Sequence, residues 1–181
     1  MDKYKTLFEK GKDAYISALE DINWFDNNFI SKEKIIQEIN NCSFAPYYLL
    51  TLEQLSFDSE GFEEGKDAFI DLMKLIMNFI DKANFEIQGT HEEFTIKTLV
   101  NGNSYDYKVV TNDFFFGEGE NSFINQYINK ILEQENFENR FYELPPADQA
   151  ARYIFVKPER YNNAIEAGII PDFLGYLAVN Y

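Results

Sequence analysis

The single histidine and single cysteine of this 181-residue chain are the first places to look for chemistry. His91 lies in Gly89-Thr90-His91-Glu92-Glu93, where a neighbouring carboxylate could tune the imidazole as a general base. A histidine with no nearby serine, cysteine or second ligand carries little specificity. The stretch reads instead as a solvated turn ahead of a strand. Cys42, in Asn41-Cys42-Ser43, would need His91 to act as a nucleophile. No local signature joins the two, and the thiol reads as inert and partly buried.

Carboxylates are the remaining candidates. Asp58-Ser59-Glu60-Gly61 starts like a calcium loop, but Phe62 takes the third ligand position and the glycine comes one place early. It reads as an acidic turn favouring the start of a helix. In Phe114-Phe115-Phe116-Gly117-Glu118-Gly119-Glu120, three aromatics precede two glycines and two carboxylates. One account is a buried strand end and a turn whose acids favour the next helix. The other is a contact surface in which Phe115 and Phe116 anchor and Glu118 and Glu120 attract. It is not a phosphate cradle, because no P-loop lysine follows and glutamates repel phosphate. Glu133, Glu135 and Glu138 form a second acidic run, by default a solvated helix end and otherwise a second partner-binding surface. Thirty-one acids offer many pairs for glycosidase chemistry, and nothing selects one. No residue is assigned as catalytic, as a metal ligand or as holding a cofactor.

These residues sit among elements that periodicity outlines. An apolar stripe predicts a helix from Asp2 to Glu20, which Gly11 weakens without stopping. Ser31 caps a shorter helix to Ile39. Phe44 to Phe57 is too apolar for a free linker and is expected to pack. From about Glu64 to Asp81 a helix shows one narrow polar stripe, Asp67, Asp71, Lys74, Asn78 and Asp81. The rest is apolar, so the helix is expected to be central. Each fully buried large side chain there would contribute on the order of 1.5–3 kcal/mol before ordering costs.

After Asn84 the period becomes alternating. Asn101-Gly102 predicts a two-residue type I′ hairpin turn. That turn pairs Thr98 with Tyr105, Ile96 with Tyr107 and Phe94 with Val109 on one face, and Lys97 with Asp106 on the other. Phe85 and Ile87 suggest a third strand. A helix follows from Asn121 to Gln134, then strands at Phe141–Leu144 and Arg152–Val156 broken by Pro145 and Pro146. A last helix starts at Pro158 and ends at Gly168, with Pro171 beyond. The tail from Phe173 to Tyr181 is expected to dock on the body. The order predicts an α+β fold: a helical N-terminal half packed with an antiparallel or mixed sheet containing the 94–109 hairpin, helices on one side. A single domain over 1–181 is expected, with Ser59-Glu60-Gly61 as the best candidate boundary.

Composition narrows the partners. The formal net charge of -15 disfavours a nucleic-acid backbone or an anionic membrane. Met1 to Lys12 lacks the apolar core of a signal peptide, and no run is long enough to span a membrane. Cys42 cannot form an internal disulfide, so a reducing cytoplasm is expected. The aromatic content, 17%, permits self-association but periodicity gives no coiled-coil seam, so the oligomeric state stays open.

From the hairpin onward, Phe141-Tyr142-Glu143-Leu144, Tyr153-Ile154-Phe155-Val156, Pro158-Glu159, Tyr161 and Gly168-Ile169-Ile170-Pro171 stand in sequence. With these residues, Phe94 to Pro171 resembles bacterial immunity proteins that accompany polymorphic or contact-delivered toxins. The resemblance describes a fold more than a site, so no functional residue transfers from it. It implies a cytoplasmic protein without catalysis of its own that binds a cognate toxin and blocks it. An acidic surface would speed association with a basic nuclease toxin. The alternative is a small enzyme using carboxylates and tyrosines, or a divalent ion held by oxygen ligands.

Overall fold

The computed structural model describes residues 3–25, 31–43, 46–58, 65–111, 123–145 and 150–172. The fold is α+β. Its elements run α1 (Lys3–Glu9), α2 (Lys12–Asp21), α3 (Lys32–Asn41), α4 (Tyr47–Thr51), β1 (Leu55–Asp58), α5 (Lys66–Met77), β2 (Ala83–Gly89), β3 (Glu93–Val100) and β4 (Asn103–Val110). A π-helical segment, Phe123–Ile128, then leads into α6 (Asn129–Gln134), β5 (Arg140–Glu143), β6 (Ala150–Val156) and α7 (Pro158–Glu166). The strands form two three-stranded sheets, ordered β2-β3-β4 and β1-β6-β5. The chain divides into two compact units. A helical unit takes residues 1–54, 142–148 and 152–181, and a hairpin unit takes 55–141 and 149–151.

The helical unit corrects one expectation. Gly11 does stop the first helix: α1 ends at Glu9 and α2 begins at Lys12. Gly11 takes φ +91, a left-handed value that breaks the i→i−4 ladder, and its N–H turns back to the Phe8 carbonyl at 3.0 Å. The two short helices thereby face one aromatic cluster from different directions. Tyr4 meets Tyr48 edge-on at 5.1 Å, and the Phe8 and Tyr15 rings each lie 5.2 Å from Tyr47. Around them Leu19, Trp24, Ile35, Ile39, Leu52, Ile154 and Ile169 complete the core. The expected packing of the segment after Phe44 therefore holds for Tyr47, Tyr48, Leu49 and Leu52.

Helix ends in both units follow the local chemistry. Ser31 Oγ accepts the Lys34 N–H at 3.2 Å and starts α3. Three helices close with the same double turn. Asn23, Asn136 and Gly168 each adopt positive φ, and the next residue donates its N–H back to Leu19, Leu132 and Ala164 respectively. Gly168 has a second reason to be glycine, because a Cβ there would lie 2.6 Å from the Lys3 carbonyl oxygen.

In the hairpin unit the register matches the sequence expectation pair for pair. Thr98 faces Tyr105, Ile96 faces Tyr107, Phe94 faces Val109 and Lys97 faces Asp106. Asn101 and Gly102 turn the chain with φ 52 and 89, as a type I′ turn requires. β2 adds Phe85 opposite Thr98 and Ile87 opposite Ile96, on the same face. That face is covered by helical rings. Phe69 of α5 lies 5.3 Å from both Phe94 and Phe123, and Tyr107 lies 5.2 Å from Phe123. The polar stripe of α5 is exposed as expected, but the helix ends at Met77 rather than near Asp81. Asn78, Phe79 and Ile80 donate to carbonyls three residues back, tightening the last turn, and Lys82 at φ 57 sends the chain into β2.

Candidate functional site

The polar chemistry of the hairpin unit concentrates where the β3–β4 turn meets the end of α6. Glu135 is the C-cap of α6, and the helix closes behind it through Asn136. A carboxylate is ill placed at a helix C-terminus, where the backbone presents partial negative charge. The hairpin compensates with three donors. Asn101 Nδ2 donates to Glu135 Oε2 at 3.1 Å, and Asn103 Nδ2 donates to Oε1 at 2.7 Å. The Tyr105 hydroxyl also donates to Oε1 in a short hydrogen bond. The Tyr105 bond first, then Asn103 and Asn101, lower the Glu135 pKa below the usual carboxylate range. The same bond, with burial and the carboxylate charge, raises the pKa of Tyr105.

One layer deeper, Thr98 is the polar exception on the apolar face of β3 and is buried. Its partner is Tyr127, delivered by the π-helical segment. The Tyr127 hydroxyl lies 2.8 Å from Thr98 Oγ1 and donates toward the carbonyls of Tyr105 at 2.9 Å and Ile96 at 3.3 Å. Burial, the largest influence, pushes its pKa up to about 12. Asn129 does a related job at the start of α6. Its amide donates to the Phe141 carbonyl at 2.8 Å and accepts the Phe141 N–H at 2.9 Å, standing in for a strand neighbour. Sequence reasoning missed Asn103, Thr98, Tyr127 and Asn129 as polar partners. The one available signal was a threonine on an otherwise apolar strand face.

The sequence candidates separate accordingly. Glu135 is half-buried and committed to the hairpin, while Glu133 and Glu138 are exposed beside it. Phe115, Phe116, Glu118 and Glu120 lie outside the described residues. His91 is exposed; its carbonyl accepts the Lys66 N–H at 3.3 Å, and its ring lies against Gly65. Cys42 is a half-buried C-cap of α3. Among the described residues no group of three or more His, Cys, Asp or Glu side chains could hold a metal ion. Among them, too, no helix is long and apolar enough to cross a membrane.

Charge is unevenly shared. The hairpin unit holds seventeen of the 31 acidic residues but seven of the 16 basic ones. Of its described carboxylates, Asp67, Asp71, Asp81, Glu86, Glu92, Glu93, Asp106, Glu133 and Glu138 are exposed, and Glu135 is half-buried. Lysines pair with two of them, Lys74 with Asp71 and Lys108 with Glu93, each at 2.6 Å. Compared with known proteins, the chain matches no family model, no curated protein and no solved structure.

Proposed function

We propose that this chain is a stoichiometric binding protein whose hairpin unit attracts a basic partner, and that the partner is a toxin it neutralises. The supporting observation is the charge distribution: two-thirds of the net negative charge falls in that unit, and nine of its described carboxylates are exposed. Such a field raises the on-rate for a positively charged partner and is screened by salt. Glu133 and Glu138 are the described acidic candidates for contact, and Phe115, Phe116, Glu118 and Glu120 are the aromatic and acidic candidates that precede them in sequence. The resemblance of residues 94–171 to toxin immunity proteins supplies the toxin as the partner class.

The test is a binding measurement between the purified chain and the product of the adjacent gene, at low and high salt. A one-to-one complex that associates more slowly as salt rises supports the reading. Absence of a complex at either salt overturns it. Reversing Glu133 and Glu138 to lysine together should lower the on-rate and flatten its salt dependence. An unchanged on-rate at low salt removes those two residues from the interface.

A further inference from the structure

Asn101-Gly102 is a turn by conformation and a reactive pair by chemistry. Asparagine followed by glycine is prone to cyclise, because no side chain hinders attack of the next backbone nitrogen. Here the turn is exposed, and a Cβ on Gly102 would meet nothing within 4 Å. The carboxamide nitrogen that would leave is the atom held by Glu135, at 3.1 Å. We propose that Asn101 is a deamidation site, that Glu135 restrains it, and that its conversion releases the hairpin turn from α6.

The step balances with water alone. The Gly102 backbone nitrogen gives its proton to solvent base and bonds to Asn101 Cγ. The Cγ–Nδ2 bond breaks, and Nδ2 leaves as ammonia with a proton from water. Water then opens the cyclic imide at either carbonyl, giving aspartate or isoaspartate, with no change of oxidation state. Two features of the fold oppose the first bond. The type I′ turn is pinned by the strand register on either side, and Glu135 anchors the carboxamide. Once ammonia is lost, the restraint reverses. A carboxylate replaces a donor beside Glu135, so attraction becomes like-charge repulsion. Isoaspartate also lengthens the backbone of a two-residue turn whose length sets the register.

Asn103 and Asn23 are built-in comparators. Asn103 binds the same carboxylate but precedes Ser104, and Asn23 precedes Trp24 in the other unit. The intact chain would be held at mildly alkaline pH and sampled over days by peptide mass spectrometry. Asn101 is expected to convert several-fold faster than either comparator, and several-fold faster again in Glu135→Ala. Equal rates at Asn101 and Asn103 would overturn the site. An unchanged Asn101 rate in Glu135→Ala, or equal acceleration of Asn23, would overturn the restraint. Asn101→Asp, made directly, should speed amide exchange across residues 99–106 without changing α5. Unaltered exchange there would overturn the release.

Discussion

In the helical unit two buried tyrosine hydroxyls reach backbone carbonyls. Tyr15 donates to the Ile169 carbonyl at 3.0 Å, and Tyr48 donates to that of Pro145 at 3.4 Å. In the hairpin unit Tyr127 adds a side-chain partner, Thr98, to its two backbone carbonyls, and Tyr105 binds Glu135. The first arrangement needs only a phenol and a stray carbonyl. The second needs matched partners on separate elements, so removing one member strands another. Polar substitutions at Thr98, Tyr127 or Glu135 are therefore expected to disturb more than one element of the hairpin unit.

The largest expected effect tests whether aromatic packing still dominates there. Phe123 is buried among Phe69, Tyr107 and Tyr127, so Phe123→Ala should cost about 3–5 kcal/mol by urea unfolding. Next, Tyr127→Phe should cost about 1–3 kcal/mol, because Thr98 and the Tyr105 carbonyl lose a buried partner. Tyr15→Phe, the matching change in the helical unit, should cost nearer 1 kcal/mol. Equal losses would erase the contrast. Ser31→Ala removes the α3 cap for about 1 kcal/mol. Asp71→Ala breaks an exposed pair and should fall below about 0.5 kcal/mol.

The Glu135 cluster should carry its own pH response. With its pKa lowered by folding, Glu135 contributes stability above the unfolded carboxylate pKa and loses it as pH falls through the folded value. Tyr105, with its pKa raised, contributes below the unfolded phenol pKa and loses it as pH rises through the folded value. The contact of Glu135 with Tyr105 is therefore complete around neutrality and weakens toward both extremes. Side-chain amide signals of Asn101 and Asn103 followed through an acid titration should shift together. Independent shifts would break the idea of a shared acceptor.

How much of this was legible in the sequence differs by region. The hairpin was readable residue by residue, because Asn101-Gly102 fixed the turn and alternation fixed the faces. The break at Gly11 was not, because glycine lowers helix propensity without stating whether tertiary packing needs a bend. The five-residue α4 and four-residue β1 are too short for a period to show. The span from Asn121 to Gln134 read as one α-helix, whereas Phe123–Ile128 is π-helical. The charge of Glu135 is legible, but its hydrogen bonds are not, because its partners lie 30 or more positions earlier.

The helical unit is assembled from separated stretches, and Tyr15 meets Ile169 across 154 positions. During synthesis, α1 to α4 leave the ribosome long before α7 and Ile169 exist to close their core. The β2–β3–β4 meander finds its partners among immediate neighbours and can form while the chain is still growing. The earlier-made helices are thus sealed after the meander. Until then the tyrosines and leucines of the early helices lack their later partners.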